Sequence, residues 1–284
     1  MDQLAKINQQ IDLSEAMKTL GKLDERQLAG LMKMLKTKRH KSQSDLPPID
    51  GDFYNLDYKL TKEQRELQMK VRHLMEDEIR PLVNDHWNRA KFPFEIIEKF
   101  KKLNIAGIPY EGYGCPNLPF LMEGIIAQEI ARVDVSTSTF FGVHSGLAMG
   151  SIYLCGSEEQ KQKWLPQMQK LEKIGAFGLT EPNVGSGVAG GLETTCKFDG
   201  ENWILNGQKK WIGNATFADV IIIWARDEDS NQVKGFLVEK DNPGFRAEKM
   251  EDKMALRIVQ NAIITLTDCK VAESDRLQNA NSFK

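Results

Sequence analysis

The sequence predicts an α+β chain with helices first and a sheet after them, and three observations carry that prediction. Apolar residues recur at helical spacing up to about Gly175. Beyond that point the apolar runs shorten, become β-branched and aromatic, and are separated by turn dipeptides. Finally, 284 residues with 41% apolar side chains allow about two domains at roughly 150 residues each. At that apolar content disorder is not expected. The elements divide the chain into an N-terminal extension and linker (1–52), a helical domain (53–175), a β domain (176–275) and a short stub (276–284).

In the extension, Leu28, Leu31, Met32 and Leu35 fall at i, i+3, i+4 and i+7, one face of a short amphipathic helix. The basic cluster Lys33, Lys36, Lys38, Arg39, Lys41 overlaps its end. Such an arm suits docking to a membrane surface or a partner, or a helical extension packed on its own body; charge runs usually mark solvated faces, which favours the second. Acidic Asp2, Asp12 and Glu15 argue against a secretory or transit leader. Ser42–Asp52, with Pro47, Pro48 and Gly51, reads as a linker.

In the helical domain, Thr61 and Gln64 have capping-box spacing, and the stripe Leu67, Val71, Leu74, Met75 is expected to stop near Pro81. Ile96, Ile97, Phe100 and Leu103 form a second stripe; Leu121, Ile125, Ile126, Ile130 and Val133 form a third. Ser157 with Gln160 is another capping box, ahead of Trp164 and Leu165. In the β domain, Ala176–Thr180, Thr194–Phe198, Val220–Ala225, Gly235–Val238 and Ile263–Leu266 read as strands, and Val220–Ala225 as one buried on both faces. Asp199-Gly200 and Asn206-Gly207 read as two-residue hairpin turns around alternating Trp203 and Leu205. Short strands without helices between them predict an antiparallel barrel or sandwich.

Composition narrows the function classes. A net charge of −2 gives no basic excess for a nucleic acid backbone. The longest apolar run, Val220–Ala225, is far below the ~20 residues of a membrane span. Cys115, Cys155, Cys196 and Cys269 are widely spaced with no C-x-x-C pair, and the histidines include no H-E-x-x-H, so no metal site is expected and a reducing compartment is. Gly185-Ser186-Gly187-Val188-Ala189-Gly190 is a literal G-x-G-x-x-G, yet Leu192–Cys196 and a turn follow it where a dinucleotide fold needs a helix. The loop Thr180–Ser186 offers N–H groups and short hydroxyls that suit phosphate or carbonyl oxygens, although a bare surface turn explains its glycines equally well. Spacing alone leaves Trp211 ambiguous, an aromatic there being more often core than cofactor platform.

Phe177-Gly178-Leu179-Thr180-Glu181-Pro182, then Gly185-Ser186, then Asn206-Gly207-Gln208-Lys209-Lys210-Trp211-Ile212 resembles the signature of the acyl-CoA dehydrogenases. Gly112–Cys115, Ile130–Asp134 and Cys155–Gln160 also match, and resemble the branch of glutaryl-CoA dehydrogenases and plant short-chain acyl-CoA oxidases. The similarity runs from about residue 53 to the end. It implies a helical domain, a middle β-barrel and a C-terminal four-helix bundle, with FAD between the last two. The chain stops at Asn279–Lys284, where that bundle would begin, so the bundle is expected to be absent. By the resemblance, Phe177, Leu179, Thr180, Gly185 and Ser186 run along the flavin, Thr180 bonding the ring and Ser186 near the phosphates of FAD or CoA. Trp211, Ile212 and Gly213 cover another part of the ring. Ser138, Thr139 and Ser186 are the substrate-side positions.

The implied reaction takes a proton from the acyl Cα and moves a hydride from Cβ to the flavin, with a carboxylate base that the family carries in its third domain. Glu172, Glu181 and Glu193 do not match that base, so no catalytic residue is assigned. The family's Asp after Gly-Ser is Gly187 here, which loosens the loop. The usual Thr or Ser after Trp-Ile is Gly213, so O2 is expected to compete as oxidant. Gly-Leu-Arg becomes Ala255-Leu256-Arg257, a mild change. Glutaryl-CoA enzymes place an arginine where Ser138 stands, and a lone serine cannot offset desolvation of a carboxylate, which implies an uncharged short or medium acyl chain. Electron-transfer flavoprotein or O2 is the implied acceptor, and a homo-oligomer built mostly through the bundle is the implied assembly. Apolar surface that the bundle would cover is expected to be exposed. The default compartment is the cytoplasm, or the mitochondrion or peroxisome in a eukaryote. A second class, a non-catalytic remnant that binds partners or nothing, stays open beside the flavoenzyme, whether as a fragment or completed by another polypeptide.

Overall fold

A computed structural model of the chain describes Asp24 and residues 56–281. The Leu28–Leu35 stripe, its basic cluster and the Ser42–Asp52 linker lie outside the described residues. Residues 1–59 form one unit, of which Asp24 and a 3-10 turn, Leu56–Lys59, are described; residues 60–284 form a second.

The second unit begins at a capping box. Thr61 accepts the Gln64 N–H at 3.3 Å and the Gln64 side chain accepts the Thr61 N–H at 3.0 Å, starting α1 (Lys62–His73). The stripe does not stop at Pro81. A π segment (Leu74–Ile79) follows α1 directly and leads into α2 (Arg80–Arg89), with Pro81 in its first turn, where its missing N–H costs least. Further along come α3 (Glu95–Lys101) and α4 (Phe120–Ala131). Asp134 caps α5 (Val135–Gly142) by accepting the Thr137 N–H at 2.6 Å. A second π segment (Val143–Ala148) joins α5 to α6 (Met149–Cys155), and the second capping box, Ser157 with Gln160, starts α7 (Glu158–Gln169). Inside this layer Arg72 of α1 donates twice to the buried Glu129 of α4, at 2.8 and 2.7 Å, and Gln68 adds a third bond at 2.9 Å.

Seven strands follow: β1 (Gly175–Gly178), β2 (Thr195–Phe198), β3 (Asn202–Gly213), β4 (Val220–Asp227), β5 (Val233–Glu239), β6 (Phe245–Lys249) and β7 (Asn261–Ala272). They form one curled sheet in the order β1-β4-β2-β3-β7-β6, with β5 on the other edge of β4. Val220–Ile223 are fully buried, as a strand covered on both faces must be. The sheet curls back on itself after β7, where Leu277 donates its N–H to Gly235 of β5 at 2.8 Å.

Two pairings are parallel, β1 with β4 and β2 with β4, so the sheet is mixed. The parallel pairs share one edge of β4 end to end: Gly178 stands beside Ile223 and Thr195 beside Arg226. The chain from 179 to 194 therefore leaves the sheet at a break between two strands. Asn206-Gly207 is not a hairpin turn. It lies within the continuous β3, at a register shift between Leu205 and Gly207 against β7. A Cβ at Gly207 (φ +141) would sit 2.7 Å from Thr194, so this glycine serves a bulge and a close approach. Only Asp199-Gly200 turns the chain, between β2 and β3.

Helices and sheet meet at Gly175. Its N–H donates to buried His144 Nδ1 at 3.0 Å, and its carbonyl accepts from Asn214 Nδ2 at 3.3 Å; the same Asn214 group donates to Phe140 O at 3.0 Å. Among the described residues no helix is long and apolar enough to cross a membrane.

Candidate functional site

The break between β1 and β2 is held against β3 by three successive contacts. Lys209 reaches back from β3 and donates to Leu179 O at 3.1 Å and to Glu181 Oε1 at 2.7 Å. The Lys210 N–H donates to Thr180 O at 2.8 Å. Leu179, Thr180 and Glu181 are thus each tied to one of two neighbouring residues of β3.

The Lys209–Glu181 pair has no exposed side-chain surface on either partner. Glu181 is fully engaged: Oε1 also accepts the Thr194 N–H at 2.9 Å and Oε2 accepts the Glu193 N–H at 2.6 Å. Burial raises the Glu181 carboxyl, but Lys209 and these backbone donors outweigh it and hold it below the usual carboxylate range. Burial pulls Lys209 down to about 8, against the attraction of Glu181. With three donors, one of them charged, Glu181 is an anchor for the loop.

Beyond Lys209, β3 shifts register again before Ile212. This second bulge decides where Trp211 goes. Trp211 has φ +65 and is 53% exposed, so the core placement suggested by spacing is overturned. Ile212 and Gly213 turn inward, both buried. A Cβ at Gly213 would lie 3.3 Å from Val143, at the end of α5. Thr139, four residues before Val143, shares that helix face; its hydroxyl donates to Val135 O at 2.9 Å. Ser138 instead donates to Ala127 O of α4 at 3.3 Å.

The structure therefore ties Leu179 and Thr180 to Lys209 and Lys210, which precede Trp211, Ile212 and Gly213 on β3, and sets Val143 of the Thr139 face beside Gly213. Thr180 is half-buried, and among the described residues no protein group takes its hydroxyl. Three expected positions are elsewhere. Phe177 lines an apolar cleft of about 580 Å³ with Tyr110, Phe120, Leu147, Leu154 and Trp224. Gly185 and Ser186 stand exposed on the loop, before a single helical turn, Val188–Gly191, labelled α8. Neither Gly185 nor Gly190 has a positive φ, and a Cβ on either would meet nothing within 4 Å. The fold does not require glycine there.

Sequence reasoning missed Lys209, Glu181 and Arg257 as positioning residues. A period-two count from Trp203 and Leu205 does land on Lys209, which was the available signal. Arg257 donates to Trp87 O at 3.0 Å and Asn88 O at 3.2 Å, and lies over the Trp87 ring, tying the 250–260 loop to the C-terminus of α2. Its partners are remote in sequence and left no local trace. Large apolar side chains are exposed around the unit, including Phe120 and Leu154 at 74% and 72%.

Comparison with known proteins adds a second line of observation. The family described as "Acyl-CoA dehydrogenase, N-terminal domain" matches residues 61–183, and "Acyl-CoA dehydrogenase, middle domain" matches residues 176–269. A short-chain-specific acyl-CoA dehydrogenase of Clostridium acetobutylicum is 33% identical over 217 residues, 75% of this chain and 57% of that protein. The mitochondrial isovaleryl-CoA dehydrogenase of Pongo abelii is 32% identical over 245 residues, 83% of this chain and 56% of its own length. The crystal structure of a glutaryl-CoA dehydrogenase from Mycobacterium smegmatis in complex with FADH2 superposes with a TM-score of 0.77 at 36% identity, covering 81% of this chain and 59% of that one. The chain spans less than two thirds of the length of each of these proteins.

Proposed function

The chain belongs to the acyl-CoA dehydrogenase family, and on that premise we propose that the Thr180–Trp211 ledge is the flavin-facing half of a site for FAD-dependent dehydrogenation of an uncharged short or medium acyl-CoA thioester. The single observation that carries this reading is the ledge itself. An uncommitted hydroxyl at Thr180, an exposed aromatic at Trp211 and a loop with open glycines converge on one strand break. Backbone donors and one hydroxyl suit a ring whose electron density they must tune, and open glycines let a diphosphate approach the main chain.

FAD, when bound, supplies the two-electron acceptor. The residues of this chain orient and exclude. Thr180 offers its hydroxyl toward the ring, Trp211 covers it from the bulge, and Gly185 and Ser186 offer N–H and hydroxyl groups to phosphate. Glu181 is not the base that takes the Cα proton, because Lys209 and two N–H groups already fill its oxygens. That base belongs outside the ledge. Ser138 and Thr139 lie on α5, which carries no charged side chain between Val135 and Gly142, and a carboxylate-tailed acyl group would find no cation there.

The test is uptake of FAD by the purified chain. The expected result is a yellow protein whose flavin fluorescence is quenched by Trp211 and recovers in Trp211→Ala. A chain that stays colourless in excess FAD refutes the reading. A second reading, reoxidation by O2, is favoured by Gly213: the position holds no hydroxyl, and Val143 crowds any Cβ placed there.

A further inference from the structure

A buried ion pair is a poor way to gain stability, because desolvating two charges offsets most of their attraction. An apolar pair of the same volume would hold β3 to its neighbours as well. The Lys209–Glu181 pair nonetheless has no solvent contact at all, and its geometry is unlike a staple between two packed elements. Lys209 divides its donors between a side-chain oxygen and a main-chain carbonyl, Leu179 O. Glu181 spends its second oxygen on the Glu193 N–H at the far end of the same loop, while Oε1 adds the Thr194 N–H. Every one of these bonds falls on residues 179–181 or 193–194, the two ends of the excursion between β1 and β2. These residues lie outside the named strands, since β1 ends at Gly178 and β2 begins at Thr195, although Thr194 O accepts the Arg226 N–H of β4 at 2.9 Å. Among the described residues, the backbone tie at Thr180 is Lys210 N–H to Thr180 O at 2.8 Å.

We infer that Lys209 and Glu181 are positioning residues that close the loop at both ends and thereby set the Thr180 backbone, and its hydroxyl, for the flavin ring. The pair touches neither ring nor substrate and acts through Thr180. This inference rests on the proposed flavin site. It also explains why charge is used: a carboxylate collects three donors from three directions at once, which no apolar side chain does.

The test uses the whole 284-residue chain, FAD as the probe, and three variants: Lys209→Met, Glu181→Gln and the neutral double variant Glu181→Gln/Lys209→Met. Hydrogen exchange at Lys210, urea unfolding, FAD affinity and the shape of the bound-flavin visible band are read together. The double variant leaves no unpaired buried charge and is expected to unfold near the wild-type midpoint. It should nevertheless release the Lys210 amide, weaken FAD binding by about tenfold, the scale of one lost hydrogen bond, and shift the resolved flavin band. Glu181→Gln alone keeps the side-chain volume but leaves Lys209 without its carboxylate, and it should lower the urea midpoint as well. In its folded fraction it should release the Lys210 amide and weaken FAD binding, so the outcome does not depend on the double variant folding. Wild-type uptake of FAD beside variants with equal affinity, an unchanged band and a protected Lys210 amide overturns the positioning role alone. A wild-type chain that takes up no FAD overturns the flavin reading and, with it, the purpose assigned to the clamp.

Discussion

Two buried carboxylates, one in each half of the molecule, do different work with the same chemistry. Glu129 sits between α1 and α4 and receives Arg72 through two side-chain bonds and Gln68 through a third. Its partners stand on regular helices already packed through Val71, Ile125 and Ile126. Glu181 instead receives Lys209 from β3 and two backbone N–H groups from residues 193 and 194, and Glu181 itself stands on the loop between β1 and β2. The lesson is that a buried charge between finished elements must keep its partner or the packing around it fails, whereas one at a break in a sheet decides where the main chain goes.

The largest effect expected on this contrast is Arg72→Met, which leaves Glu129 buried with its main cation gone. Urea unfolding should show a loss of about 3–5 kcal/mol, while FAD uptake per folded molecule stays at the wild-type level. Lower flavin affinity in the folded fraction would erase the distinction between the two carboxylates.

The seam between the halves supplies the next effect. Burial lowers His144 from 6.5 to about 4, and its ring nitrogens are committed to Gly175 N–H and Met168 O. Accepting from Gly175 at Nδ1 places the proton on Nε2, so the folded state holds the ring neutral. The unfolded chain binds the extra proton first as pH falls, so stability is complete above about pH 6.5 and drops between 6.5 and 4. The shift corresponds to about 3 kcal/mol lost across that window. His144→Gln should flatten the slope between those pH values, and an unchanged slope would remove His144 from the seam's acid response.

On the sheet side, Gly213→Ser restores a hydroxyl at the crowded end of the ledge, 3.3 Å from Val143 at its Cβ. Anaerobic photoreduction followed by stopped-flow mixing with oxygen should give reoxidation about tenfold slower than wild type, or about 1.4 kcal/mol in barrier. Equal rates would dismiss O2 competition at this position. The smallest effects belong to the helix caps: Thr61→Ala and Ser157→Ala should each cost about 1 kcal/mol in unfolding and leave the flavin spectrum untouched.

Much of this was open to reading in the residues. Both capping boxes form as their spacing requires, because a cap involves only four consecutive residues. Val220–Ala225 announced a doubly covered strand through an unbroken apolar run, and β4 is that strand. The misreadings share a cause. Pro81 reads as a stop, yet the π segment before it rephases the helix so that the proline falls in a first turn. Asn206-Gly207 carries the signature of a hairpin, yet β3 runs through it, with Thr194, just before β2, pressed against Gly207. Spacing favours an inward Trp211, and the bulge between Lys209 and Ile212 that contains it turns it out.

The sequence by itself determined the order of helix and strand, the starts of the main helices, and the family signature around Thr180, Glu181 and Trp211. These depend on signals carried within a few residues or in one contiguous motif. Only the tertiary structure decided that Lys209 meets Glu181 across 28 positions, that Phe177 lines a different cleft from Thr180, and that His144 and Asn214 join the two halves at Gly175. Register shifts and buried charge pairs are set by whichever strand lies alongside, and that neighbour is chosen by the packing of the whole sheet rather than by any local run of residues.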